Sequence, residues 1–193
     1  MFFERLCASE LRLDERELAS RLSSTADQYM KSEQLESLIS ACSASYVAER
    51  VPIIRTPDGV FIGGIYTDSK AFCKISADSD ECFVLVATLG IGVDRLIAKK
   101  ESISVSEAFI IDAIADAMVE SLLDCAEERI CSGIDTVPRF SPGYSDLPLS
   151  VGAKIVDLLG AETRLGIKFT ESGLMVPKKS VSAIICIKGF AKG

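Results

Sequence analysis

The chain has 193 residues, 48% of them apolar, and 28 acids against 21 bases give it a formal net charge of −7. That length suits one domain with a buried core, while the acid excess and scattered bases, with Lys178 and Lys179 the densest cluster, exclude nucleic acid as the main partner. Histidine is absent, which excludes histidine-based triads, His-ligated zinc and imidazole acid–base catalysis; chemistry is left to carboxylates, arginine, tyrosine, thiols or a borrowed cofactor.

Mean hydropathy is high for a water-soluble chain, +0.29, yet no run of about 18 uncharged apolar residues predicts a membrane span. The first ten residues contain acids and a base and lack the apolar stretch and small-residue cleavage site of a signal peptide. The expectation is a cytoplasmic protein that engages no membrane. The seven cysteines, at 7, 42, 73, 82, 125, 131 and 186, have no C-x-x-C spacing. They are expected to pack as small hydrophobes rather than to form a disulfide framework or a metal site.

In chain order, Asp14 to Leu22 is predicted as a short helix with Asp14 as N-cap. A second helix is predicted from Ser32 to Ala48, with Leu35, Leu38, Ile39 and Cys42 at helical spacing. Two β-rich runs, 51–55 and 60–64, flank Thr56-Pro57-Asp58-Gly59, a turn sequence that predicts a hairpin. Residues 81–88 read as a buried strand, followed by a helix from Val93 to Lys100 and a long helix from Val105 to Cys131. A loop from Ser132 to Ser150 holds three of the six prolines. A helix at Val151–Leu159 and strands at Lys168–Glu171 and Val181–Lys188 complete the chain. Helices and strands mix without a βαβα rhythm, which predicts an α+β domain with a twisted, largely antiparallel sheet and flanking helices.

Three segments carry candidate chemistry. On the long helix Asp112, Asp116, Glu120, Asp124 and Glu128 recur every four residues with no base between Glu101 and Glu128, forming one acidic ridge on an otherwise apolar helix. The ridge is either a solvated face or the wall of a groove that meets a cation; Asp116 and Glu120 lie at its middle. In the following loop Arg139 is the only base between Arg129 and Lys154, and its guanidinium can grip a carboxylate with two parallel hydrogen bonds. Pro138 and Pro142 restrict the backbone around it, Gly143 permits close approach or a positive φ, and Tyr144 adds a ring with a hydroxyl. This stretch serves equally as a rigid turn. Leu89-Gly90-Ile91-Gly92 resembles a phosphate loop in position, but Arg95 stands where a third glycine belongs, so a turn is the expectation.

Arg139-Phe140-Ser141-Pro142-Gly143-Tyr144 resembles the Arg-x-x-x-Gly-Tyr signature of the activation domain of cobalamin-dependent methionine synthase. Residues 155–185 are similar to that family's helix, its Gly-Met-Lys-Leu-Thr-Glu-Ser segment and its Pro-x-x-Ser-Val-Ser strand. Asp116 and Glu120 match the Asp-x-x-x-Glu of the family's long helix. The similarity covers roughly 105–188, within a single domain over 1–193 whose first 100 residues form a helical and hairpin part.

The resemblance implies a C-shaped α+β domain that binds S-adenosylmethionine. It implies that Arg139 holds the ligand's carboxylate across a cleft from Asp116 and Glu120. It further implies that Ser141 and Gly143 contact the nucleoside through their backbone, with Phe140 and Pro142 in the same ligand loop, and that Tyr144 sits over the corrin. The implied function is a stand-alone reactivation subunit, a component of methionine synthase. It supports reductive methylation of oxidised cobalamin carried by a separate cobalamin-binding methionine synthase or corrinoid protein, in methionine biosynthesis. A flavodoxin-like or ferredoxin-like protein supplies the electron. The competing readings are a non-catalytic docking protein for a corrinoid carrier and a purely structural α+β domain.

Overall fold

A computed structural model of the chain describes residues 1–13, 18, 22, 32–170 and 173–189. The helix predicted at Asp14–Leu22 lies outside these residues, except that Leu18 and Leu22 are helical.

The framework is one curled antiparallel sheet. Its strands are β1 (Phe2–Arg5), β2 (Ser45–Thr56), β3 (Gly59–Ile62), β4 (Ile65–Thr67), β5 (Glu81–Thr88) and β8 (Ser180–Cys186), in the order β4-β3-β2-β5-β8 with β1 also on β2. A separate pair joins β6 (Lys168–Phe169) to β7 (Met175–Val176). The helices are α1 (Glu33–Ala41), α2 (Lys70–Ile75), α3 (Ile91–Glu101), α4 (Val105–Ile130), α5 (Leu149–Leu158) and α6 (Ala161–Leu165).

Strand periodicity creates two cores. In β5, Phe83, Leu85 and Ala87 face one way, where they meet Ile111, Ile114, Met118 and Leu122 of α4. Cys82, Val84 and Val86 face the other way, toward Val151, Ile155 and Val156 of α5. Both faces are covered, so β5 reads as a continuous apolar run rather than an alternating one. The helix α4 is capped by Ser104, whose side chain accepts from the Glu107 amide at 3.3 Å, and it buries thirteen of its 26 residues.

The second helix stops seven residues short of its predicted end at Ala48. The Cys42 amide closes on the Leu38 carbonyl at 2.8 Å, and from Ser45 the chain pairs with β5 in the register Ser45↔Thr88. Tyr46 and Val47, which suit a pleated surface, are there fully sandwiched, at 2% and 0% exposure. The hairpin at 56–59 forms as expected, with Thr56 opposite Gly59. The glycines at 90 and 92 make a packing turn. Gly90 has φ +83°, and a Cβ on Gly92 would stand 2.2 Å from the Ala41 carbonyl oxygen. Among the described residues no helix is long and apolar enough to cross a membrane.

Candidate functional site

β8 is an edge strand, and the loop after α4 covers that edge. Val137 donates to the Cys186 carbonyl at 2.9 Å, and Phe140 and Ile184 exchange both backbone hydrogen bonds at 2.8 and 2.9 Å. Pro138, without an N–H, fits this outermost position. Past Phe140 the chain turns tightly: Tyr144 donates to the Ser141 carbonyl at 3.1 Å and Gly143 to the Leu147 carbonyl at 2.7 Å. Gly143 has φ +91°, and a Cβ there would lie 2.7 Å from Leu149 Cδ2, so this position demands glycine.

Asp146 anchors the turn. Its Oδ2 accepts from the Lys70 amide at 2.7 Å, and its Oδ1 accepts from Ser69 Oγ at 2.5 Å and from the Ala71 amide at 3.2 Å. It thereby satisfies the first donors of α2. The Ser69 hydroxyl, helped by these amides, lowers the Asp146 pKa below the usual aspartate value.

Adjacent residues on extended backbone point to opposite faces, and the loop uses this. Phe140 enters the α5-side core, 8% exposed, with its ring 6.0 Å from that of Phe72 and edge-on to Tyr144 at 5.5 Å. Its side chain is a core anchor. Arg139 turns to α4, where its guanidinium donates to Glu120 at 3.0 Å, Asp124 at 2.5 Å and Glu127 at 3.1 Å. Burial alone would lower its pKa, but the bonds and charges of Asp124, Glu127 and Glu120 outweigh that and raise it. The family resemblance implies that Arg139 faces Asp116 and Glu120 across a cleft. Instead it closes directly onto the helix, and Asp116 is held by a different cation. Lys179 Nζ lies 2.6 Å from Asp116 and 2.8 Å from Asp112.

Open space lies beside these contacts. An apolar cleft of about 390 Å³ is walled by Ser141 and Pro142 of the loop, Leu149 and Gly152 of α5, Phe169, residues 173–175, Lys178, and residues 180–182 of β8. A smaller recess of about 210 Å³ adjoins it around the sheet edge, lined by Asp116, Val119, Glu120, Lys179 and again Lys178, Ser180 and Val181. Ser141, Pro142, Asp116 and Glu120 thus come together around the start of β8. Tyr144 does not line the cleft and is 69% exposed, while the cleft-lining Leu149 and Leu174 are themselves 60% and 65% exposed.

Lys178, Lys179, Glu127 and Asp146 were not singled out as site residues by sequence reasoning. Glu127 is off the four-residue ridge, although it lies seven positions from Glu120 and so on the same helix face. The two lysines lead into an alternating strand, which was the available signal. Asp146 reaches across to residue 70, and no local pattern encodes that contact.

A curled antiparallel sheet with a long acidic helix on one face, a short helix pair on the other and a turn covering its edge is the fold of a methionine synthase reactivation domain. The whole chain is similar to a solved structure of the MetH reactivation domain bound to AdoHcy, with a TM-score of 0.72 and 19% sequence identity over 100% of this chain and 79% of that one. Residues 136–192, which carry the edge loop and β8, match the family described as vitamin B12 dependent methionine synthase, activation domain. No curated protein matches the chain. Of the likeness read over 105–188, the sequence match holds from 136 onward, and the fold match extends over the whole chain.

Proposed function

We propose that this chain binds S-adenosylmethionine in the apolar cleft beside residues 141–144 and presents its methyl group to a corrinoid carried outside these 193 residues, by a cobalamin-binding methionine synthase. The observation that carries the reading is the cleft itself. Its volume of about 390 Å³ falls in the range of small-ligand pockets, it is walled by the loop that bears the family signature, and the similar MetH domain has AdoHcy bound.

The residue types suit that ligand. Pro142, Leu149 and Phe169 offer an apolar wall for a nucleoside, with hydroxyls at Ser141 and Ser182 for its polar edges. Gly143 lets the backbone approach closely. The adjoining recess offers the carboxylates of Asp116 and Glu120 beside Lys178 and Lys179, groups of both signs for the zwitterionic tail of the ligand. Leu149 and Leu174 at the cleft and Tyr144 on the loop are exposed apolar groups against which a corrin face can rest. S-adenosylmethionine supplies the methyl group. The protein contributes placement of the ligand and exclusion of water from it. Arg139 spends three of its five N–H donors on helix carboxylates, which fastens the loop to α4 and leaves two donors for a ligand's carboxylate.

Isothermal titration with S-adenosylmethionine and AdoHcy tests the reading. One-to-one binding is expected, weakened at least tenfold by Ser141→Trp, which fills the cleft mouth, with the circular dichroism spectrum unchanged. A chain that takes up neither ligand yet binds a corrinoid protein through Tyr144, Leu149 and Leu174 would instead be a docking protein.

A further inference from the structure

We infer that Cys82 and Cys186 are a dithiol that a two-electron oxidant closes into a reversible disulfide, stapling the edge strand β8 to β5. The inference is independent of the ligand reading, because Cys186 ends β8 while Ser180 and Ser182, at its start, border the cleft. Cys82 stands directly opposite Cys186 in the antiparallel register, so the two side chains leave the same face of the sheet. Facing pairs alternate between hydrogen-bonded and non-hydrogen-bonded, and side chains approach more closely in the second kind. This pair is of the second kind. Ile187 donates to the Glu81 carbonyl and Leu89 to the Lys179 carbonyl, both at 3.0 Å, so the bonds between β5 and β8 fall on odd-numbered residues. Even-numbered residues of β8 turn their backbone to the edge loop instead: Ile184 bonds with Phe140, and the Cys186 carbonyl accepts from Val137 at 2.9 Å. A non-hydrogen-bonded pair holds its Cα atoms about 4.5 Å apart, at the short limit of the disulfide range. A disulfide there needs no change of register, and its tight fit keeps it reducible.

The surroundings decide what reaches the pair. Both thiols lie in the α5-side core with Val84 and Ile184, and burial raises the pKa of each. The Arg55 guanidinium, held by the Ser76 and Ser79 carbonyls, works against burial at Cys186, so Cys186 is the sulfur that ionises first. The pair sits at an open end of the sheet, where Asp80 and Lys188 are exposed. Over it run residues 187–189, pinned by Ile187 to Glu81, Lys188 to Asp135 at 2.9 Å and Gly189 to Asp78 at 2.8 Å. Local opening of these three bonds admits a small oxidant such as hydrogen peroxide. The Cys186 thiolate attacks one peroxide oxygen and breaks the O–O bond, giving a sulfenic acid and, with a proton, water. The Cys82 thiolate then attacks that sulfur and expels its oxygen as a second water, so two thiols and one peroxide yield one disulfide and two waters. An alkylating reagent must add a group to a packed core, whereas the disulfide adds no atom.

The test treats the folded wild-type protein with hydrogen peroxide and maps its peptides by mass spectrometry without reduction. Thermal melts and amide hydrogen exchange then compare untreated, oxidised and dithiothreitol-treated protein, with Cys186→Ser as control. Expected is a peptide pair joined through Cys82 and Cys186, a melting temperature raised by about 5 °C through closure of a loop of about 100 residues, and slower exchange at 183–187. Dithiothreitol should reverse all three, and Cys186→Ser should show none of them. The map is read on wild type, so it stands even where the variant folds poorly. Recovery of Cys82 and Cys186 as free thiols after oxidation, or their cross-linking to other cysteines, would overturn the pairing. A Cys82–Cys186 link that dithiothreitol leaves intact in the folded protein would overturn its reversibility.

Discussion

The guanidinium of Arg139 and the carboxylate of Glu120 lie 3.0 Å apart, fastening the edge loop to the middle of the long helix. With Asp124 and Glu127 on the same guanidinium, one cation offsets the repulsion among three acids that share a helix face. Arg139→Met removes it and leaves the three carboxylates facing one another. Arg139 is about one quarter exposed, so the cost falls between that of a surface pair and a buried one, about 1–2 kcal/mol. Urea denaturation at low and at 0.5 M salt checks this, with the difference from wild type smaller at high salt.

Phe140 provides the apolar half of the same fastening. Its ring fills the α5-side core beside Phe72, so Phe140→Ala is expected to destabilise the protein by about 3–4 kcal/mol. Phe140→Leu should cost less. Chemical denaturation of both variants measures it, and a loss under 1 kcal/mol for the alanine variant would contradict the core assignment.

Asp146 gives the loop a pH-dependent tether. Its folded pKa is depressed below the ordinary 3.8, so its stabilising effect is complete above the unfolded value and is lost as pH falls through the folded one. Asp146→Ala should therefore melt below wild type at pH 7, and the gap should close below about pH 4. Thermal melts from pH 7 to pH 3 test the sign; a gap that widened in acid would contradict it.

The thiols differ in exposure. Cys7 is exposed, and a hydrogen bond with Ser9 lowers its pKa. Burial pushes Cys42 and Cys131 up to about 11 and Cys186 up to about 12. Because the thiolate is the nucleophile, iodoacetamide at pH 8 should label Cys7 first and leave Cys186 and Cys82 unmodified in the folded protein. Peptide mass mapping over time reads this out.

Much of the fold was legible because period and punctuation were clear: the apolar β5 run, the hairpin at 56–59 and the long helix from Val105. The helix predicted through Ala48 failed because Leu35, Leu38, Ile39 and Cys42 set a helical rhythm whose end is decided by pairing with β5, a non-local event. At the site, the Arg139–Tyr144 signature and the Asp116–Glu120 pair were readable as motifs, and Ser141, Pro142, Asp116 and Glu120 lie around one sheet edge. Their contacts were not. Which acid Arg139 takes depends on alternation along an edge that only the fold defines, and Lys179 occupies Asp116 because β8 brings residue 179 beside residue 116. Nor was the burial of Phe140 legible: the same alternation sends its ring into the core.

Backbone amide shifts followed by NMR during titration with AdoHcy test the central claim most directly. The account predicts saturable shifts concentrated at Ser141, Gly143, Gly152, Lys178 and Ser182, around the cleft, with the β3–β4 hairpin unmoved. Shifts centred elsewhere, or a spectrum unchanged at millimolar AdoHcy, would contradict it.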